Sequence, residues 1–278
     1  MQVGLLMHLN KDAYGCIAHA AKLGFTNGQL AVWDMDLYCE DSVEQVKKAC
    51  RDFDFTVTAV WCGWSGPVEW DYPNMYASIG LVPPAWRSRR TKDLLDGAAF
   101  ARAIGVKNII THMGFLPDDP FNADHIGVVQ AIRYICRQIE PYGQRFLFET
   151  GEELPGSLLL FFKEVGMENV GVNFDPANML INGRANPLDA MDRLAPYVYG
   201  IHGKDGVYPQ GFDSKGKEVQ IGQGGVDFQK LLQRLLDAGY TGNVTIEREI
   251  PEGQERDLQL IEEKTYLEAV IQRLTKKL

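Results

Sequence analysis

Two patterns of hydrophobic positions alternate along the chain. Short runs rich in Val, Ile, Phe and Tyr, such as FTVTAVW and VKNIITH, are typical of strands that are buried on both faces of a parallel sheet. Longer stretches carry apolar residues every three or four positions, as in FQKLLQRLLDAG, which ends at Gly239. That spacing is typical of a helix with one buried face, and the glycine is a typical C-terminal cap.

The alternation predicts eight β/α units in order. The predicted strands are 2–8, 28–33, 55–61, 106–112, 145–149, 169–175, 197–203 and 243–248. The predicted helices are 12–23, 41–52, 87–104, 124–140, 154–166, 187–195, 226–239 and 257–276. A chain of 278 residues fits one α/β barrel, which typically takes roughly 250 residues. The sequence therefore predicts an α/β fold, a single (β/α)8 TIM barrel domain over 1–278.

Three predicted connections are longer than usual loops, and each of them follows a predicted strand. They are 62–86, 113–123 and 204–225. Long loops in a compact domain are usually functional or disordered, and these loops carry aromatic residues that disordered segments lack. We therefore expect long βα loops at the C-terminal mouth of the barrel, where they act as lids and walls.

Acidic and histidine side chains close four consecutive predicted strands. They are Glu149 in RFLFET, Asp175 in VGVNFDPAN, His202 in YVYGIHGKD and Glu247 in NVTIEREI. Because the carboxyl ends of parallel barrel strands meet at one mouth, we expect these side chains to converge. Three carboxylates and an imidazole suit a divalent ion such as Mn²⁺, Mg²⁺, Co²⁺ or Zn²⁺. The sequence thus predicts a site for one divalent metal ion.

This ligand set indicates a particular chemistry. A metal ion with open positions can hold two neighbouring oxygens of a polyol and polarise a carbonyl group. Glu149 and Glu247, on opposite sides of the ring of ligands, are candidates for a catalytic acid/base pair that takes and returns a proton beside that carbonyl. The predicted activity is isomerisation or epimerisation of a sugar or sugar-like keto-polyol through a metal-stabilised enediolate.

Seven further residues are candidates for substrate binding, namely Trp61, Trp64, His112, Glu152, Asn178, Lys204 and Arg248. His112 closes the strand in IITHMG, where it either binds a substrate hydroxyl or supports the mouth. Trp61 and Trp64, together with Trp33, offer an apolar face on which a sugar ring stacks, although tryptophans at strand ends are commonly core residues.

Two basic candidates have alternative partners within the chain. Lys204 in GIHGKD either faces a developing oxyanion or pairs with Asp205, which follows it. Arg248 follows the last predicted ligand, and a salt bridge to Glu249 is its more typical role.

The pattern resembles the xylose isomerase-like TIM-barrel superfamily, in particular sugar phosphate isomerase/epimerase-type proteins. The matching segments are FET at 148–150, NFDPANM at 173–179, IHGKD at 201–205, IGQGGVDF at 221–228 and IERE at 246–249. The resemblance implies that the matching strand-end residues bind one metal ion and that Glu149 and Glu247 are the acid/base pair.

The chain departs from that family pattern at two positions. Many epimerases of the superfamily carry a histidine where this chain has Asn178, and a glutamate where it has Pro155. Asn178 still suits a hydrogen bond to a hydroxyl group, and Glu152 or Glu153 is a replacement for the missing glutamate. IGQGG lacks the lysine of a phosphate-binding loop and is more typical of a tight turn. The sequence leaves open which sugar is bound and whether it is phosphorylated.

Composition limits the partners and the compartment. The net charge of −9 and the pI near 5.1 disfavour nucleic acid, whose binding draws on clustered Lys and Arg. No apolar run reaches the ~20 residues that cross a bilayer. The five cysteines are odd in number and lack CxxC spacing, which predicts reduced thiols in the cytoplasm. We expect a small sugar or polyol as the partner and leave a homo-oligomer open.

Three other functions compete with this prediction. A dehydratase or lyase of the inosose dehydratase type would use the same metal and proton abstraction but then expel the β-hydroxyl. An endonuclease IV-type nuclease needs a trinuclear zinc cluster and more than the five histidines in this chain. A sugar-binding barrel without catalysis is a third alternative, and the complete set of four ligands disfavours it.

Overall fold

Eight parallel strands close into a barrel in the computed structural model, which describes residues 1–211 and 214–276. The strands are β1 (Val3–His8), β2 (Asn27–Val32), β3 (Thr56–Cys62), β4 (Asn108–Thr111), β5 (Arg145–Glu149), β6 (Val170–Phe174), β7 (Val198–Gly203) and β10 (Val244–Ile246). They follow one another around the barrel in chain order, and β10 pairs with β1 to close it. The single (β/α)8 TIM barrel is confirmed.

Ten α-helices belong to the described residues. They are α1 (Ala13–Lys22), α2 (Glu40–Asp52), α3 (Met75–Ser78), α4 (Pro84–Ala103), α5 (Ala123–Ile139), α6 (Pro155–Val165), α7 (Pro176–Ile181), α8 (Pro187–Leu194), α9 (Phe228–Asp237) and α10 (Gln254–Thr275). All eight predicted helices are present, with bounds that differ by a few residues. In the part of the chain that the structure describes, every helix is too short or too polar to span a lipid bilayer.

Alternating side chains of strands β1 to β5 serve two cores. On β1, Leu5 and Met7 belong to the large cluster between the barrel and its helices, whereas Leu6 belongs to a smaller cluster with Ala31 and Trp61. Successive side chains of a strand point to opposite faces, so one strand supplies both clusters. The smaller cluster lies beneath the mouth and forms part of the floor of the candidate site.

Two α-helices and two strands within the connections were not predicted. Helix α3 lies in the 62–86 connection, helix α7 follows β6, and β8 (Asp205–Val207) pairs antiparallel with β9 (Lys217–Val219) in the 204–225 connection. Helix α7 has clear local signals, because the Asp175 side chain accepts from the backbone N–H of Asn178 and Pro176 is the first helical residue. Six residues are too few to show a helical period, and for this reason the pattern missed α7.

The last barrel strand is shorter than predicted. β10 ends at Ile246, where its pairing with Leu5 of β1 also ends, instead of continuing to 248. Glu247 therefore stands just beyond the strand, at the mouth. The backbone after it leaves the barrel and leads into α10.

All five cysteines are unpaired, and Cys62 and Cys136 are buried. Burial raises the pKa of both of these thiols to about 12. They act as small apolar core residues.

Candidate metal centre

Four side chains from four consecutive barrel strands meet at the mouth. Glu149 ends β5, Asp175 follows β6 and caps α7, His202 lies on β7, and Glu247 follows β10. One potential ligand atom from each lies within 4.8 Å of all the others. Because each strand ends at the same edge of the barrel, residues far apart in the sequence become neighbours. The predicted convergence of these four residues is confirmed.

His202 stands at the centre of the group. Its Nδ1 lies 3.2 Å from Oε1 of Glu149, 3.5 Å from Oδ2 of Asp175 and 3.0 Å from Oε2 of Glu247. Its Nε2 lies 2.9 Å from Oε1 of Gln29 on β2, which is buried inside the barrel. The imidazole therefore presents Nδ1 to the carboxylates and uses Nε2 for a contact on the far side.

The Gln29 amide fixes which nitrogen of His202 carries hydrogen. Gln29 donates its Nε2–H to Oδ1 of Asn173 at 3.1 Å, so its Oε1 is left as an acceptor. His202 therefore donates through Nε2–H, which leaves the Nδ1 lone pair for a cation. Both Gln29 and Asn173 lie next to irregularities in strand register, which re-aim side chains.

Burial and charge in this group fit a divalent ion. Oδ2 of Asp175 and Oε2 of Glu247 are buried without a well-directed hydrogen-bond donor among the described residues. Burial raises the pKa of Asp175 to about 7. A buried carboxylate without a partner is costly, and a cation among such oxygens removes that cost. The hard oxygen donors and the imidazole nitrogen are suited to Mn²⁺, Mg²⁺, Co²⁺ or Zn²⁺.

Glu149 is held by two further side chains. Trp61 donates its Nε1–H to Oε2 of Glu149, and Asn178 donates an amide N–H to Oε1 at 3.1 Å. The sequence predicted Trp61 and Asn178 as substrate-binding residues, and the structure places both against this candidate ligand. Hydrogen bonds of this kind orient a ligand before an ion arrives.

A cavity of about 540 Å³ opens above the four residues. Its lining includes Glu247, His112, Glu152, Asn178 and Trp61. The lining also includes Trp33, which the sequence analysis placed in the aromatic face, and residues that it did not single out for binding, namely His8, Trp70, Asp71, Lys215, Glu218 and Glu249. Most of these residues belong to the long loops, whose paths over the mouth cannot be read from a hydrophobic pattern.

His112 and Glu152 form a pair at the edge of the cavity. His112 Nδ1 lies 3.1 Å from Oε2 of Glu152, and His112 Nε2 lies 3.7 Å from Oε1 of Glu149. Burial by itself would lower the pKa of His112, but these two carboxylates raise it to about 10. Glu153, the other predicted replacement, does not line the cavity.

The two basic candidates have partners other than those predicted. Lys204 is buried, with Nζ 3.2 Å from Oε2 of Glu247 and 2.9 Å from Oε1 of Glu249, so its predicted pairing with Asp205 is wrong. Arg248 pairs with Glu218 instead of Glu249 and lies outside the cavity lining. The β8–β9 hairpin carries Glu218 to Arg248, and no sequence pattern could indicate that contact.

Trp64 also lies outside the cavity lining. Its ring packs behind Trp33 and Trp61, with centroids 5.3 and 5.8 Å away. The aromatic wall of the cavity consists of Trp33, Trp61 and Trp70, since Trp70 meets Trp33 edge to face at 6.3 Å. The predicted apolar face is present, with Trp70 in the position expected for Trp64.

The model of the xylose isomerase-like TIM barrel family matches residues 17–271. The chain belongs to this family. A xylose isomerase domain protein from Planctomyces limnophilus has the same fold with a TM-score of 0.89, at 26% identity over 99% of this chain and 98% of that one. A D-tagatose 3-epimerase-like protein matches with a TM-score of 0.78 at 16% identity, over 100% and 99% of the two chains.

One relative of this chain by sequence is an uncharacterized protein from Methanocaldococcus jannaschii. It is 23% identical over 223 residues, which cover 73% of this chain and 72% of the relative. Its similarity extends over most of both chains. The family of the chain is thus established by sequence and by fold, and its chemistry has to be argued from the metal centre.

Proposed function

We propose that this xylose isomerase-like barrel is a divalent-metal-dependent isomerase or epimerase that acts on a sugar or sugar-like keto-polyol. The carrying observation is the convergence of Glu149, Asp175, His202 and Glu247 at the mouth of the barrel, where Glu247 also lines the cavity. The sugar epimerase-like protein of the same fold supports this class of activity. The cavity is large enough for a sugar ring, since ligand pockets run from about 300 to 1,000 Å³.

These four side chains would hold the ion, and each of them has a fixed geometry. Asp175 is tied to the first turn of α7, and His202 is tied to Gln29. A divalent ion bound there would supply Lewis-acid stabilisation of negative charge on the substrate oxygens. The rest of the chemistry is a proton transfer, for which the chain itself provides the groups.

Glu247 is the carboxylate of the pair that borders the cavity. We assign it the removal of the proton from the carbon next to the substrate carbonyl, which gives the enediolate. Glu149, held in place by Trp61 and Asn178, starts the cycle protonated and delivers this proton to the enediolate from the other side of the ligand ring. The two glutamates recover their starting states by proton exchange with solvent through the cavity. His112 and Glu152 at the cavity edge are placed to bind substrate hydroxyl groups.

The test is deuterium incorporation from D₂O into ketoses and aldoses by the Mn²⁺-loaded protein, followed by mass spectrometry of substrate and product. We expect exchange in the wild type and a loss of about 10²–10⁴-fold in Glu247→Gln, because a positioned general base contributes that much. Glu255→Gln is the matched control. Glu255 is exposed in the first turn of α10 and lies outside the cavity lining.

Other outcomes identify the competing functions. A product lighter by one water would indicate a dehydratase with the same proton abstraction. Close to three zinc ions per chain, measured by elemental mass spectrometry, would favour the nuclease. Metal binding without exchange on any sugar would contradict the proposed activity and favour a sugar-binding barrel.

A further inference from the structure

Resting on the proposed function, we propose that the substrate is a neutral, unphosphorylated sugar that stacks on the tryptophan wall of the cavity. Three independent features of the mouth lead to this substrate class. They are an anion-binding loop that the chain itself occupies, a lining dominated by carboxylates, and an exposed aromatic surface.

The glycine-rich loop IGQGG at 221–225 is occupied by a carboxylate of the same chain. The side chain of Asp205 accepts hydrogen bonds from the backbone N–H groups of Gly206, Gly222, Gly224 and Val226 at 2.8, 2.9, 2.9 and 3.0 Å. Successive backbone N–H groups of this kind form an anion-binding concavity. In many TIM barrels the loops after the seventh and eighth strands bind the substrate phosphate. Here Asp205 takes that place.

The Asp205 carboxylate fills the space beside the glycine-rich loop, so a side chain at Gly224 would collide with it. A Cβ at Gly224 would lie 2.2 Å from Oδ1 of Asp205. The loop is therefore closed onto Asp205, and its N–H groups are not available to a phosphate.

The lining of the cavity is acidic. It includes five carboxylates, those of Asp71, Glu152, Glu218, Glu247 and Glu249, and the one lysine or arginine in the described lining is Lys215. Two nearby cations are already paired, Lys204 with Glu247 and Glu249, and Arg248 with Glu218. A phosphate dianion would face like charges on this surface, which opposes its binding.

Lys215 by itself does not make a phosphate site. Its Nζ lies 3.3 Å from the backbone oxygen of Trp70 and 5.9 Å from the centroid of the Trp70 ring. This contact joins the β8–β9 connection to the 62–86 connection over the mouth. Lys215 thus helps to close the cavity. The described lining contains no arginine beside it that could form a bidentate contact with a phosphate.

The aromatic wall suits the apolar face of a sugar ring. Trp33 and Trp70 are each 36% exposed, and the Trp33 ring lies 4.9 Å from that of Trp61. Tryptophan faces of this kind bury the C–H groups of a sugar, while carboxylates elsewhere in the lining accept its hydroxyl hydrogens. A neutral polyol satisfies both surfaces, and it keeps two adjacent oxygens free for the metal centre.

The first experiment compares ketoses and aldoses in matched pairs, each sugar with its terminal phosphate, by deuterium exchange with the Mn²⁺-loaded wild type. We expect kcat/KM for the best unphosphorylated sugar to exceed that of its phosphate by about tenfold or more, owing to the acidic lining. A preference for the phosphorylated members would overturn this inference and leave the proposed function standing. Exchange with no member of either series would instead count against the proposed function.

A second experiment decides the charge preference without knowledge of the sugar. Inorganic phosphate is titrated into the metal-free wild type, and binding is followed by phosphorus NMR. We expect no saturable binding at millimolar phosphate, or weak binding that Lys215→Ala leaves unchanged. Saturable binding that Lys215→Ala abolishes and Lys217→Ala preserves would overturn the inference. Lys217 is the matched control, since it lies exposed on the same hairpin.

Discussion

Gln29 controls the state of the imidazole in the metal centre. It is the one described contact of His202 Nε2, and its own amide is oriented by Asn173. A buried amide in the middle of a strand is normally hydrogen-bonded, and these two contacts engage both the Oε1 and the Nε2 atoms of Gln29. The ligand set is therefore supported from inside the barrel as well as from the mouth.

Removal of the Gln29 amide should weaken metal binding. We expect Gln29→Leu to lose about 10–100-fold in Mn²⁺ affinity, because His202 loses the acceptor that orients it. Isothermal titration calorimetry measures this directly. Gln29→Glu keeps an acceptor oxygen and should retain most of the affinity, and Gln229→Leu on the exposed face of α9 should have no effect. Equal affinities in Gln29→Leu and wild type would show that Gln29 only fills space.

A buried glutamate outside the metal centre should make stability depend on pH. Burial raises the pKa of Glu263 on α10 to about 7. The folded protein therefore binds more protons than the unfolded chain between the ordinary pKa of a glutamate and about 7, so the free energy of unfolding falls as pH rises through that window. Between about pH 5 and about pH 8, Glu263 should lower the free energy of unfolding of the wild type by an amount on the order of 1–3 kcal/mol. We expect this decrease to be absent in Glu263→Gln.

Urea unfolding of both proteins at the two pH values measures that difference. Glu262→Gln is the control, because Glu262 is the exposed neighbour of Glu263. An unchanged slope of stability against pH in Glu263→Gln would contradict the assignment.

At the scale of elements, the connection after β7 is organised by one carboxylate. Asp205 starts the β8–β9 hairpin and also binds the loop at 221–225. The hairpin in turn carries Lys215 and Glu218 to the mouth. A single residue thus fixes two segments that surround the cavity.

Loss of this carboxylate should loosen the loop while the barrel persists. We expect Asp205→Ala to lower the free energy of unfolding by about 1–3 kcal/mol, since several buried N–H groups lose their acceptor. Hydrogen exchange followed by mass spectrometry should show faster exchange at 221–226 and little change in β1 to β6. Asp237→Ala, at the exposed end of α9, is the control. Unchanged exchange at 221–226 would mean that the loop is held by other contacts.

At the scale of the whole molecule, the metal centre joins four neighbouring barrel strands at one point. One oxygen of Asp175 and one of Glu247 lack a well-directed donor among the described residues, so the metal-free barrel contains a local electrostatic cost. An ion that binds the folded protein and not the unfolded chain removes this cost. It should therefore stabilise the entire barrel.

Added Mn²⁺ should raise the Tm of the wild type. At a concentration of about 100 times Kd the added stability is about 2.7 kcal/mol. For a chain of 278 residues that corresponds to roughly 5 °C. Differential scanning calorimetry with and without Mn²⁺ measures the shift, which should largely disappear in Asp175→Asn and persist in Asp189→Asn. An equal shift in Asp175→Asn would place the ion elsewhere.

Hydrophobic spacing was sufficient for the strands and helices of the barrel. The residues Glu149, Asp175, His202 and Glu247 could be found because each follows a strand, and parallel strands bring their ends to one mouth. These inferences rest on local periodicity and on one topological rule, both of which a single sequence contains.

Tertiary structure alone decided the partners of these residues. Gln29 contacts His202 across the barrel. Arg248 pairs with Glu218 and not with the neighbouring Glu249. In the aromatic wall, Trp70 has the position that was expected for Trp64. Each contact joins segments far apart in the chain, through loops or register shifts that carry no periodic signal. The sequence by itself determined the barrel and the four side chains that converge at its mouth, because periodicity and strand direction are local properties. Orientation, pairing and cavity lining depend on long-range packing, and only the folded chain decides them.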